Sequence, residues 1–182
     1  MQTYLSDINE LTRLEDPALK VQKNQFDLAQ LLNDIRDEWL PQAESHGLQL
    51  AVDIRGTEGG HSLLIDTDEA RLRQIVSNLV SNALKYTEQG SVTIAASTSA
   101  ESPDCAMVEV SDTGIGIEEK YLSRVFQPYV RLESAKKLCS EGSGLGLTIV
   151  ERLVESIGGS VQVESQLGLG TRFQVTVPGL VG

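Results

Sequence analysis

Cysteine, histidine, aromatic side chains and positive charge are all scarce in this 182-residue chain. Cys105 and Cys139 are too few, and too far apart in sequence, for a disulfide framework or a metal cluster. No uninterrupted apolar run approaches the roughly 18 to 20 residues of a membrane span. The N-terminus lacks the basic segment, apolar run and small-residue cleavage site of a signal peptide. Fifteen Lys and Arg against 26 Asp and Glu leave a net charge of −11, the wrong sign for non-specific binding to nucleic acid or an anionic membrane. Any anionic ligand must therefore be held by local arrangement. No Gly-Lys pair occurs, so there is no P-loop. What is left is globular composition, 40% apolar and 23% charged, over a length that suits one domain with a short appendage. The expected setting is reducing and cytoplasmic, without nucleic-acid or membrane contact by this chain.

The apolar pattern predicts the elements. Tyr4, Leu5, Ile8, Leu11 and Leu14 make a helical stripe that Pro17 ends. Asp27 reads as the N-cap of a helix bearing Leu28, Leu31, Leu32, Ile35 and Trp39, with Pro41 a kink and Gly47 its stop. Strands are expected at 48–54 and 62–65, then a long helix capped by Asp68. Two further strands, 92–96 and 107–110, form a hairpin; short helix follows at 118–125 and a longer one at 143–157. Strands at 161–164 and 171–177 close the chain around a glycine-containing loop. The expected fold class is α/β: two layers, one mixed sheet with helices on one face.

Three groups of residues carry chemistry. Asn78 and Asn82 lie one helical turn apart with Lys85 three residues on, which puts all three on one face of an otherwise apolar helix. Asparagine is a mediocre helix former, so the pair calls for a reason. An amide oxygen is a hard neutral ligand suited to Mg²⁺ carried by a polyphosphate, and Lys85 can meet the phosphate charge. Gly142-Ser-Gly-Leu-Gly-Leu147 spaces its glycines differently from the dinucleotide fingerprint and opens a helix, where unpaired amides and the helix dipole favour an anion. Asp112-Thr-Gly-Ile-Gly116 follows an apolar strand. Its ionised carboxylate only accepts hydrogen bonds, so it would take the adenine amine and reject the carbonyl of guanine. Asp-Thr-Gly also carries the catalytic Asp of aspartic proteases, a reading that needs a homodimer and leaves Asn78, Asn82, Lys85 and the glycines of 142–146 unexplained.

Taken in order, these motifs resemble the catalytic ATP-binding domain of sensor histidine kinases, in the superfamily shared with DNA gyrase, MutL and the ATP-dependent heat-shock chaperone. The resemblance runs from about Phe26 to Pro178. Residues Arg71 to Thr87 resemble its N box and Asp112 to Ile117 its first glycine box. Phe126-Gln-Pro-Tyr129 resembles its F box, Gly142 to Leu147 its second glycine box and Gly168 to Phe173 its terminal glycine motif. A two-layer α/β sandwich of the Bergerat type is implied.

The resemblance also implies roles. Asn82 is the Mg²⁺ ligand, with Asn78 beside it, and Asn78, Lys85 and Arg131 serve the transfer step. Tyr86 packs near the adenine, and Asp112 supported by Thr171 reads its amine. Gly114, Gly116 and Ile117 allow close approach, and the backbone of Gly142, Ser143, Gly144, Leu145 and Gly146 wraps the phosphates. Residues between Phe126 and Gly142 correspond to a mobile lid, with Lys136 and Lys137 weaker phosphate contacts than Arg131. Tyr86 and Phe126 are equally readable as plain core.

ATP-hydrolysing relatives carry a Glu at the first N-box position, where Asn78 here is no strong base. That favours transfer to an imidazole. The acceptor is absent, since neither His46 before Gly47 nor His61 before Ser62 resembles the phosphorylated motif. Residues 1–16 are expected to be the end of a dimerisation-hairpin helix, 17–25 a linker and 26–182 the catalytic domain. The implied partners are the histidine-bearing dimerisation domain of the same kinase and a downstream response regulator. The alternative function is an ATP-binding interaction module of the same superfamily without kinase output.

Overall fold

The computed structural model describes residues 9, 11–12, 20–55, 63–99, 102–130 and 143–181. In chain order run β1 (Asn24–Asp27), α1 (Leu28–Ser45), β2 (Gln49–Ile54), β3 (Leu64–Thr67), α2 (Glu69–Tyr86), β4 (Ser91–Thr98), β5 (Cys105–Asp112), α3 (Glu119–Leu122), α4 (Gly146–Ser156), β6 (Ser160–Gln166) and β7 (Gly170–Pro178). Five strands form a mixed sheet in the order β2-β4-β5-β7-β6, with β2 parallel to β4 and every other pair antiparallel.

Period-two alternation decides which face of the sheet is covered. Val92, Ile94 and Ala96 of β4, Ala106, Val108 and Val110 of β5, and Phe173, Val175 and Val177 of β7 are buried in one core. Leu28, Leu31, Leu32 and Ile35 of α1, and Ile149, Val150, Leu153 and Val154 of α4, complete it. From α2 come Leu72, Ile75, Val76, Leu79, Val80, Ala83 and Leu84, at spacings of three and four. Each such side chain stabilises the fold by roughly 1.5–3 kcal/mol when fully buried. Asparagine inside a helix costs less than about 0.7 kcal/mol relative to alanine. Burial therefore wins, and α2 tolerates Asn78 and Asn82 on its half-buried flank. The helix-free face is polar: Glu109, 9% exposed, accepts from Arg172 Nε at 2.8 Å.

Asp27 caps α1 by accepting from the amide of Ala29, and Asp68 caps α2 by accepting from that of Arg71, as the sequence predicts. Pro41 lies inside α1 and the helix runs on past it to Ser45. Other elements differ from expectation. β1 is unexpected, because Asn-Gln-Phe-Asp has no alternation to reveal it; antiparallel pairing with β3, Phe26 opposite Ile65, makes the strand. The same pairing moves β3 two residues on, to take in Asp66 and Thr67, and the two strands form a small second sheet. α4 starts at Gly146 rather than Ser143, since Gly144 at φ +72 and the Leu145 amide bond to Ser143 Oγ make a turn there first. α3 is one short turn.

Tyr4, Leu5, Ile8 and Leu14 lie outside the described residues. Asn9, Leu11 and Thr12 are helical, and Leu11 packs against the core.

Candidate functional site

The last residue of β5, the C-terminal half of α2 and the start of α4 meet at one end of the molecule. Asp112 sits opposite Val92 on one side and Thr171 on the other. Its Oδ1 accepts from the amides of Gly114 at 2.8 Å and Thr171 at 3.3 Å. Among the described residues both hydrogen bonds fall on that one oxygen. Burial pushes the Asp112 carboxyl above its usual range, and the two amide bonds oppose the shift without cancelling it.

The first glycine box is pressed against α2. The Ile115 amide donates to the carbonyl of Tyr86 at 3.1 Å, and a Cβ on Gly114 would stand 2.2 Å from that oxygen, so no other residue fits there unshifted. Gly116 has φ +68, and a Cβ on it would meet the Gln166 carbonyl at 2.0 Å. Ile117 donates its amide to Ser165 Oγ at 2.8 Å. The terminal glycine motif thus braces the first glycine box from the other side, with Gly168 donating to the Ile115 carbonyl at 2.7 Å.

The second glycine box faces α2. The Cβ position of Gly146 lies 3.9 Å from Asn82 Nδ2, so the N-box amide and the start of α4 are neighbours. Among the described residues the N-cap residue of α4, Leu145, gives it no side-chain hydrogen bond, unlike Asp27 and Asp68 at the other two long helices. Ser143 is buried, and the Gly144 carbonyl accepts from Tyr129, which ties in the F box. Phe126 packs edge-on against Phe173 at 6.2 Å between ring centroids, and its carbonyl takes the Thr148 hydroxyl at 2.8 Å, a core position. Asn78, Asn82 and Tyr86 are half-buried and Lys85 is exposed. Arg131, Lys136, Lys137 and Gly142 lie outside the described residues.

A shallow cavity of about 380 Å³ is lined by Ser111, Asp112, Ser165, Thr171 and Arg172, among others, and by no residue of α2 or α4. Ser111 and Arg172 alternate with Asp112 and Thr171 along β5 and β7, so this cavity reaches the helix-free face, away from the asparagines and the glycine turn. Ser165 is the site residue that sequence reasoning misses. A serine in a strand carries no signal by itself, and its three hydrogen-bonding partners come from two other segments, the first glycine box and β7.

Residues 67–180 match the family of histidine kinase-, DNA gyrase B-, and HSP90-like ATPases. The chain belongs to that family. It is 39% identical over 175 residues to the autoinducer 2 sensor kinase/phosphatase LuxQ of Vibrio cholerae, covering 96% of this chain and 20% of that protein. To the sensor histidine kinase RcsC of Escherichia coli it is 32% identical over 174 residues, covering 96% and 18%. The chain therefore spans about a fifth of the length of these relatives. Full-length ShkA in complex with AMPPNP superposes with a TM-score of 0.85 at 30% identity, over 99% of this chain and 36% of that one. The fold is thus the ATP-binding fold of this family, and its relatives are sensor histidine kinases. Among the described residues no helix is long and apolar enough to cross a membrane.

Proposed function

We propose that this chain is the nucleotide-binding, phosphoryl-donating part of a two-component sensor histidine kinase, which holds Mg·ATP and offers the γ-phosphate to a histidine on a dimerisation domain of the same kinase. A response regulator then takes the phosphoryl group. The observation that carries the reading is the meeting of the half-buried Asp112 and Asn82 with the start of α4 at one end of the fold.

Each group has work that its chemistry suits. Asp112 accepts from the adenine amine, and Thr171 supports it. Gly114, Gly116 and Ile117 let the base approach the backbone beside Tyr86. The first-turn amides of α4, with Ser143 to Gly146 before them, donate to phosphate oxygens, which lets a chain of net charge −11 bind an anion. Asn82 fits a magnesium ion, since its amide oxygen is hard and neutral and stands beside those amides. The bound ion supplies charge neutralisation on the polyphosphate. Lys85 and Arg131 meet the remaining negative charge.

Asn78 offers no ionisable base to activate water, so the chain favours a nucleophile that needs none, which an imidazole is. His46 at the C-cap of α1 is not that nucleophile, nor is His61. In this reading residues 1–16 end a hairpin helix, 17–25 link it and 26–182 are the catalytic domain. The test is radiolabelled ATP with the isolated chain and a separately supplied hairpin. Acid-labile label is expected on the hairpin and not on this chain. Label on His46 or His61 would overturn the assignment, and nucleotide binding without any transfer would leave only an ATP-binding interaction module.

A further inference from the structure

Ser165 joins three segments through one oxygen. Its Oγ donates to the Gly170 carbonyl at 2.7 Å, accepts from the Ile117 amide at 2.8 Å and lies 3.0 Å from Thr171 Oγ1. A serine hydroxyl has one proton and two lone pairs. The proton goes to the nearer partner, a carbonyl that can only accept. One lone pair takes the Ile117 amide. The third contact must then run from Thr171 to Ser165, with the threonine hydroxyl donating. That consumes the only side-chain proton Thr171 has, and what its Oγ1 can still offer is lone pairs.

Thr171 is paired with Asp112 across β5 and β7, its amide donates to Asp112 Oδ1, and direct pairing puts both side chains on one face of the sheet. We infer that Ser165 is a positioning residue for base selectivity: by fixing the Thr171 hydroxyl as an acceptor, it makes the base-reading wall of Asp112 and Thr171 accept only. A purine with an amine at position 6 satisfies such a wall, while one with a carbonyl there meets lone pair against lone pair. The inference rests on the proposed adenine site at Asp112 and adds the source of its polarity.

Freed from Ser165, the Thr171 hydroxyl rotates and can donate to a 6-carbonyl. Inosine triphosphate is the probe, since it replaces the amine of ATP by that carbonyl and keeps the sugar and phosphates. Titration calorimetry of ATP and of inosine triphosphate with Mg²⁺ is compared across the parent chain, Ser165→Ala and Ser165→Thr, with melting curves for each. The parent should prefer ATP. Ser165→Ala should narrow that preference by about fivefold, one ordinary hydrogen bond, and Ser165→Thr, which keeps a hydroxyl, should restore it. If Ser165→Ala loses its cooperative melt, Ser165→Cys, close in shape with a weaker donor and acceptor, carries the same expectation. Equal weakening of both nucleotides, with the preference unchanged, would make Ser165 a brace only and overturn the inference. A parent chain that binds neither nucleotide would instead remove the adenine site itself, whatever Ser165 does.

Discussion

The two ends of α2 treat their polar groups in opposite ways. At the N-terminal end Asp68 is 6% exposed and both its oxygens are engaged. Oδ1 accepts from the Arg71 amide at 3.1 Å, while Oδ2 takes the Gln22 amide at 2.9 Å and stands 3.4 Å from Arg71 Nε. The aspartate is used up in holding helix, strand and preceding segment together. At the C-terminal end, among the described residues, Asp112 has its two hydrogen bonds on one oxygen, and the N-cap residue of α4 gives it no side-chain bond. The same residue type is structural where its neighbours saturate it and available to a ligand where they do not. Burial also raises the Asp112 pKa.

Asp112→Asn should separate the two ends most sharply. An amide can present a donor where an acceptor is needed, and one unsatisfied buried group costs about 1–3 kcal/mol, so ATP affinity should fall by roughly one to two orders of magnitude. Stability should not fall with it. A carboxyl whose folded pKa is raised stabilises the fold fully below its unfolded pKa and loses that contribution as pH rises through the folded value. At neutral pH the ionised Asp112 is therefore a cost that asparagine removes. Calorimetric binding and melting curves of the two proteins check both halves. Equal ATP affinity would take Asp112 out of the site.

Asp68→Ala should do the reverse. It removes a helix cap and the partner of a buried arginine, and the loss should be about 1–3 kcal/mol, or some 2–4 °C in Tm for each kcal/mol in a chain of this size. Asn82 lies about 20 Å further along the helix by its rise per residue. ATP affinity should then stay within about twofold of the parent. A joint loss of stability and affinity would mean that the two ends are not independent.

Amide hydrogen exchange sharpens the contrast between capped and uncapped helices. With Mg²⁺ and a non-hydrolysable ATP analogue, exchange at Gly146 to Thr148 should slow, because those amides gain acceptors. The amides of Ala29 and Arg71, already bonded to Asp27 and Asp68, should not respond. Unchanged exchange at Gly146 to Thr148 would remove the start of α4 from the phosphate site.

The smallest effect is a shift in one titration. Carbon-detected NMR should place the Asp112 midpoint above the ordinary aspartate value of about 3.9, and nucleotide should lower it, since an amine donor favours the charged form. By linkage, nucleotide affinity falls as pH drops through the raised midpoint of the free protein. A midpoint at the ordinary value would mean that the carboxyl is solvated rather than buried.

Periodicity and capping are local, and they carried much of the fold. The stripe from Leu72 to Leu84, the caps at Asp27 and Asp68, and the alternation of β4, β5 and β7 could all be read before any contact was known. The glycines of the first box could be read as close approach, though not what approached: the Tyr86 carbonyl at Gly114 and the Gln166 carbonyl at Gly116 come from distant segments. β1 escaped notice because its pairing with β3, and not its own composition, makes it a strand.

The sequence by itself determined the class of ligand: an acceptor carboxylate after an apolar strand, two amides on one helical face and a glycine turn opening a helix are chemistry that spacing alone sets out. Only the tertiary structure decided the rest. Among the described residues Asp112 keeps both of its hydrogen bonds on one oxygen, and burial raises its carboxyl, because of what folds against the end of β5. Asn82 stands beside the start of α4 because α2 and α4 pack on the same sheet face. Ser165 matters because the distant first glycine box and the neighbouring strand β7 converge on its one hydroxyl, and a hydroxyl has only one proton to give.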